Sequence, residues 1–246
     1  MPDWIGLALS FGALFVGGIL KGATGIGAPI LAVPLLSALY GVPTAVAVFA
    51  LPNFVVNGVQ AWQYRASRPA ARLIWPFALA GLLGTAIGTL ILVRLPADRL
   101  LLLTALALFV FVGFRLARPT WALPWKMGRL IAAPVGLSGG ILFGAVGLSA
   151  PVSVPFLSAL RLARADFVST ISVFFFALSL VQIPMLLATG VMAGWLILAS
   201  LLAVVPLWLG MPVGTYLARF ISARMFDRIT LGILAIIGTR MLLSAL

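Results

Sequence analysis

Residues Gly17 to Pro29 (GGILKGATGIGAP) recur almost intact as Gly139 to Pro151 (GGILFGAVGLSAP). Nine of the thirteen aligned positions are identical at an offset of 122 residues. Two random segments of such a composition would agree at roughly a tenth of positions. After a one-residue slip the match resumes as Pro34 to Leu39 against Pro155 to Leu160. It continues in Phe54 with Phe176, Val59-Gln60 with Val181-Gln182, Gly84 with Gly210, and Gly88-Thr89 with Gly214-Thr215. The chain is a duplicated unit of about 120 residues, divided as 1–120 and 121–246, so each half must adopt a fold the other can repeat.

That fold is not one for water. With 63% hydrophobic and 8% charged residues, 246 residues have too little polar surface to cover a soluble core. Runs such as Leu73 to Val93, Leu100 to Phe114, Phe167 to Ala188 and Trp195 to Leu217 are long enough, at about 1.5 Å per residue, to cross about 30 Å of hydrocarbon. The first apolar stretch follows Met1-Pro-Asp3 without a basic region or cleavage site, so it is expected to remain as a membrane segment. The net charge of +12 comes from basic residues scattered singly between apolar runs, a pattern of topology signals that predicts no nucleic-acid partner. The chain has no cysteine, histidine or glutamate, which removes disulfides, thiolate chemistry and cysteine or histidine metal ligands and leaves four aspartates. No cofactor or metal is expected.

Apolar segments fall at 4–20, 29–40, 44–63, 73–93 and 99–114, and again at 129–143, 151–160, 166–188, 192–218 and 226–244. The second of each set is too short to span. The pattern predicts a helix that unwinds at the glycines and restarts at Pro29 or Pro151, since proline at a helix start lacks only a donor that would be free anyway. Each half is then a broken glycine-rich hairpin plus three transmembrane helices. The basic residues orient the halves. If the halves are inverted, one side collects Arg65, Arg68, Arg72, Arg115, Arg118, Lys126, Arg129, Arg161, Arg164, Arg219, Arg224 and Arg228, against Arg94, Arg99 and Arg240 on the other. Halves of like orientation would nearly erase this bias. Twelve against three predicts inverted repeats with the cationic side in the cytoplasm and both termini outside it.

Inverted repeats with paired broken helices are an architecture that holds a substrate near the bilayer midplane, because irregular backbone at that depth must line a cavity. The candidate site therefore begins with Gly22, Thr24, Gly25, Gly27 and Ala28, and with Gly144, Gly147, Ser149 and Ala150. Helices restarting there aim free N–H groups and positive dipole ends inward, which suits an anion. The alternative is that these small residues only let helices pack closely. Lys21 is the one basic residue in the broken segments, and its counterpart is Phe143. It either complements an anion or snorkels to an interface. Asn53, Asn57 and Gln60 share a helix face at i, i+4 and i+7, and Ser172, Ser179 and Gln182, with Ser169 a turn earlier, form the matching stripe. These stripes either contact substrate or tie helices together.

Nothing in the composition supports an enzyme. Asp3, Asp98, Asp166 and Asp227 lie at span ends, where they are expected to cap helices or pair with arginines, and no two form an acid–base pair within a span. Trp4, Trp62, Tyr64, Trp75, Trp121, Trp125 and Tyr216 fall near span ends, as in an interfacial belt. Phe174-Phe-Phe176 is read as packing, with a hydrophobic constriction as the other reading.

The twice-used break into proline, Gly22-Ala-Thr-Gly25-Ile-Gly-Ala-Pro29 and Gly144-Ala-Val-Gly147-Leu-Ser-Ala-Pro151, followed by Val33-Pro34 and Val154-Pro155, resembles the TauE/SafE sulfite-exporter family. The resemblance extends over nearly the whole chain and includes the Ala-x-x-x-Ser-Thr stretch at Ala165 to Thr170. It implies a multi-pass carrier of the bacterial inner membrane for sulfite, sulfonates such as sulfoacetate, or related organic acids, with the two breaks as its site. The second break departs from the glycine-rich pattern at Ser149 and Ala150, which implies unequal half-sites. The expected partners are a small anion and the lipid bilayer, with a homodimer open to it. An anion channel and a membrane scaffold are the competing readings.

Overall fold

In hydrocarbon a backbone must satisfy its own hydrogen bonds, and this chain does so almost entirely as helix. The computed structural model describes residues 4–26, 28–67, 71–117, 121–220 and 223–245. Asp3, Gly27, Arg68 and Arg118 lie outside the described residues, as do the side chains of Arg224 and Asp227. The helices are α1 (Trp4–Thr24), α2 (Ala28–Tyr40), α3 (Val42–Gln63), α4 (Ala71–Arg94), α5 (Ala97–Ala117), α6 (Trp125–Val146), α7 (Ala150–Ala159), α8 (Arg164–Ala188), α9 (Trp195–Leu217) and α10 (Ala223–Ala245). Seven of them, α1, α3 to α6, α8 and α9, are long and apolar enough to cross a membrane, while α10 is apolar over Thr230–Ser244. The chain is an all-helical, multi-pass integral membrane protein. The exposed Trp4, Trp62, Trp75, Trp125 and Tyr216 lie near helix ends, and Trp121 in the connection before α6.

Both breaks form where the glycines predict them. Gly25 and Gly147 adopt φ of 83° and 74°, left-handed values that cost a residue with a Cβ about 1–2 kcal/mol. Each donates its N–H to the carbonyl four residues back, Lys21 and Phe143, at 2.7 Å. The short arms α2 and α7 restart one residue before Pro29 and Pro151. α6 begins at Trp125, earlier than its apolar run suggests. Lys126 and Arg129 interrupt the hydropathy but not the helix, for which lysine and arginine have good propensity.

Glycines then let helices meet backbone to backbone. A Cβ on Gly84, Gly88, Gly136, Gly140 or Gly144 would run into the Leu137, Ile141, Phe77, Gly81 or Thr85 carbonyl, so α4 and α6 lie side by side and parallel. Gly18, Gly22, Gly210 and Gly214 meet the Leu207, Met211, Phe15 and Ile19 carbonyls in the same way, making α1 and α9 the equivalent pair. Between these pairs α3 and α8 cross the centre in opposite directions. Asn53 bonds Ser179, the Phe54 and Phe176 rings stack with centroids 4.8 Å apart, and Gln60 bonds Ser172. Phe54 and Phe176 are counterparts in the duplicated sequence, so equivalent residues of the two halves touch at the centre.

α8 runs parallel to α4, with Phe77 on Phe174 and Gly81 on Leu178. The C-terminus of α3 and the N-termini of α4, α6 and α8 therefore share one end, which carries Arg65, Arg72, Lys126, Arg129 and Arg164. Arg94 and Arg99 lie at the opposite end.

Candidate functional site

Lys21 closes the last full turn of α1, and the break that follows turns the chain toward α3. Its side chain is fully buried. Nζ donates to Asn57 Oδ1 at 2.8 Å and to the Gly25 carbonyl at 3.3 Å. An ammonium has three donors, and the third has no acceptor among the described residues. No described carboxylate pairs with it. Asn57 Nδ2 donates in turn to the Asn53 Oδ1 and carbonyl, each at 2.8 Å. Asn53 Nδ2 reaches Ser179 Oγ at 2.9 Å, and Ser179 donates to the Phe175 carbonyl at 3.0 Å. A continuous polar chain thus links α1, α3 and α8 through residues that are all buried. The i, i+4 spacing of Asn53 and Asn57 produces this line on one helix face.

Gln60, a turn further along α3, accepts the Ser172 hydroxyl at 2.7 Å. Its repeat counterpart Gln182 instead donates Nε2 to the Phe143 carbonyl at 3.1 Å, fastening α8 to the start of the second break. The two halves therefore use equivalent glutamines differently.

Each break rests on the other half of the chain. A Cβ on Gly25 would lie 2.6 Å from a methyl of Val168 on α8, and one on Gly147 would lie 3.2 Å from a methyl of Val46 on α3. Ala28, Gly144, Gly147, Ser149 and Ala150 are buried. Two hydroxyls at these seats, Ser149 Oγ and Ser169 Oγ, are buried with no hydrogen-bond partner among the described residues. Buried polar groups are nearly always paired, so two free ones beside the breaks mark capacity for a further partner.

The first break is the more open. Thr24 is exposed and returns its hydroxyl to the Leu20 carbonyl at 2.7 Å. Gly22 and Gly144 serve the two glycine seams, facing the Met211 and Thr85 carbonyls. Arg164 Nη2 holds the Ala23 carbonyl at 3.0 Å and Thr215 Oγ1 the Gly22 carbonyl at 3.3 Å, so side chains from α8 and α9 satisfy the end of α1. Neither contact is visible in the sequence. Asp166 does not cap α8. The capping position is Ala163, with no side-chain bond, and Asp166 lies inside the first turn, where its charge still favours the helix dipole. Phe174 stacks on Phe77 at 3.9 Å between ring centroids, which places it in packing rather than at a constriction.

The family profile described as Sulfite exporter TauE/SafE matches residues 10–241, taking in both breaks, both glycine seams and the polar chain between them. The chain belongs to this family. Curated proteins and solved structures give no match. TauE/SafE proteins are membrane transporters, and membership places this chain among them. Within this TauE/SafE chain Lys21, Asn57, Asn53 and Ser179 form one group, and Gln60 with Ser172 a second beside it. Ser149 and Gln182 belong to the second break, and Gly27 lies outside the described residues.

Proposed function

We propose that this TauE/SafE protein is an alternating-access carrier of two inverted repeats that exports a small sulfur-containing anion such as sulfite, sulfoacetate or a related sulfonate. The observation that carries the reading is the fully buried Lys21 side chain, held by two neutral acceptors and, among the described residues, no carboxylate. Taking an ammonium out of water costs on the order of several kcal/mol, and neutral acceptors recover only part of it. An anion beside the third Nζ donor supplies the missing counter-charge, and the Ser149 and Ser169 hydroxyls beside the breaks offer an oxyanion further donors.

Inversion is supported by the opposite directions of the equivalent helices α3 and α8, and by the clustering of the basic residues at one end, which we take as the cytoplasmic face of a bacterial inner membrane. The glycine seams make α4–α6 and α1–α9 stiff pairs, suited to rocking against the α3–α8 centre. Because the first break is partly exposed toward the Arg164 end and the second is buried, the conformation described suits loading from the cytoplasm.

The test is thermal unfolding of purified protein with sulfite, sulfate, thiosulfate, sulfoacetate, taurine and simple carboxylates, followed by counter-flow of the best binder in proteoliposomes. A carrier gives saturable stabilisation by a narrow set of anions and label uptake driven by unlabelled anion inside. Anion flux that neither saturates nor responds to counter-substrate identifies a channel instead.

A further inference from the structure

The paired helices border two grooves, one at each end of the molecule, that share three repeat-related positions. At the cationic end a cavity of about 710 Å³ between the starts of α4 and α6 is lined by Arg72, Pro76, Lys126, Met127, Arg129 and Leu130. At the other end an apolar groove of the same volume lies among α1, α2, α3 and α9 and includes Leu7, Tyr40, Val48, Leu198 and Leu202. The sequence registers Gly84/Gly210 and Gly17/Gly139 make these counterparts: Arg72 corresponds to Leu198, Pro76 to Leu202, and Arg129 to Leu7. At these shared positions one groove carries two arginines where the other carries leucines.

We infer that the cationic groove binds the headgroup of an anionic phospholipid. Arg72, Lys126 and Arg129 are exposed, and among the described residues none of them donates a hydrogen bond or pairs with a carboxylate. Three cations around one hollow can converge on the several acceptor oxygens of a phosphodiester. The rest of the lining is apolar, with Pro76, Met127 and Leu130 offering a wall for acyl chain below the headgroup. Exposed Trp75, Trp121 and Trp125 ring the same end, the side chains that settle at headgroup depth. A free anion would use the cations but gain nothing from the apolar wall. A zwitterionic lipid would use the wall but bring its own cation. Basic hollows between membrane helices are suited to anionic headgroups in this way. The site also sits on the seam that welds α4 to α6, so an occupied groove anchors that helix pair at the membrane surface.

The experiment is thermal unfolding of the delipidated full chain in mixed micelles titrated with dioleoyl phosphatidylglycerol, dioleoyl phosphatidylcholine or inorganic phosphate, without any transported anion. Phosphatidylglycerol is expected to stabilise the protein saturably, with phosphatidylcholine and phosphate inert. The triple variant Arg72→Gln, Lys126→Gln, Arg129→Gln should raise the half-saturating lipid fraction by roughly tenfold or more. A control removing three charges at the opposite end, Arg94→Gln, Arg99→Gln, Arg240→Gln, should leave it unchanged, and Arg129→Gln alone serves if the triple variant does not fold. Equal stabilisation by phosphatidylcholine, an equal loss in the control, an unchanged site variant, or a response to phosphate alone would each overturn the assignment. The readout is independent of transport, so the carrier reading can fail while this one stands.

Discussion

Lys21 Nζ and Asn57 Oδ1 lie 2.8 Å apart in the interior of a membrane protein, and no acid among the described residues completes the pair. A neutral amide oxygen is an adequate resting partner for an ammonium but leaves its charge uncompensated. The Asn57 amide is itself fixed by Asn53, so the acceptor is turned toward Lys21 by the helix that carries both asparagines.

Removing one partner should therefore hurt more than removing both. Asn57→Leu leaves Lys21 buried with only the Gly25 carbonyl, and is expected to cost about 2–4 kcal/mol. Lys21→Met should keep the fold while abolishing stabilisation by anions. The double variant should recover most of the loss caused by Asn57→Leu alone. Unfolding midpoints for the four proteins, with and without the best-binding anion, decide the matter. Additive losses in the double variant, or anion stabilisation surviving Lys21→Met, would remove Lys21 from the site.

The glycine seams give a position-specific prediction. Gly140→Ala and Gly210→Ala drive a methyl into the Gly81 and Phe15 carbonyls, and should each cost about 1–3 kcal/mol because the opposing atom is backbone and cannot turn aside. Gly113→Ala and Gly232→Ala meet nothing within 4 Å and should stabilise their helices by about 0.5–1 kcal/mol. Residual folded fraction after heating, read by size-exclusion profile, separates the two classes. Equal behaviour would mean that the helices of each pair are not in backbone contact.

Much of this architecture is legible in the sequence because a bilayer permits so little else. Segment lengths announce the helices, and the repeated glycines mark the breaks to within a residue of Pro29 and Pro151. The stripe of Asn53, Asn57 and Gln60 is readable because a single helix fixes the spacing. Contacts between helices are not set by local spacing, and there the sequence falls short. Thr24 lies in the break motif yet faces outward, and Gly22 and Gly144 turn their bare faces to a neighbouring helix. The grip of Arg164 on the Ala23 carbonyl spans 141 positions of sequence and has no local signature.

The opposite directions of α3 and α8 can be tested directly, since the chain contains no cysteine to interfere. Asn53→Cys with Ser179→Cys, and Gln60→Cys with Ser172→Cys, should crosslink under mild oxidation because each pair already touches. Asn53→Cys with Ser172→Cys should not, because seven residues of helix separate the rungs by about 10 Å, beyond the reach of a disulfide. Crosslinking of the mismatched pair in preference to the matched ones would reverse the helix directions and remove the main support for inverted repeats.

The left-handed glycine of the first break carries two separable costs. Gly25→Ala must hold a Cβ at φ of 83° and also push against Val168, whose methyl lies 2.6 Å from the added atom. Gly190→Ala has a similar φ of 76° but open space around it. The backbone term alone, about 1–2 kcal/mol, is then measured at Gly190, and the excess at Gly25 measures how tightly the break is seated on α8. Val168→Ala removes the obstructing methyl, so Gly25→Ala combined with Val168→Ala should fall back toward the cost of Gly190→Ala plus that of Val168→Ala by itself. If the combination is no better than additive, the break does not rest on α8 and Val168 has no part in positioning it. If it is better than additive, the seat between the two halves is physical, and the same pair of substitutions becomes a way to loosen the first break without replacing Lys21 or Asn57.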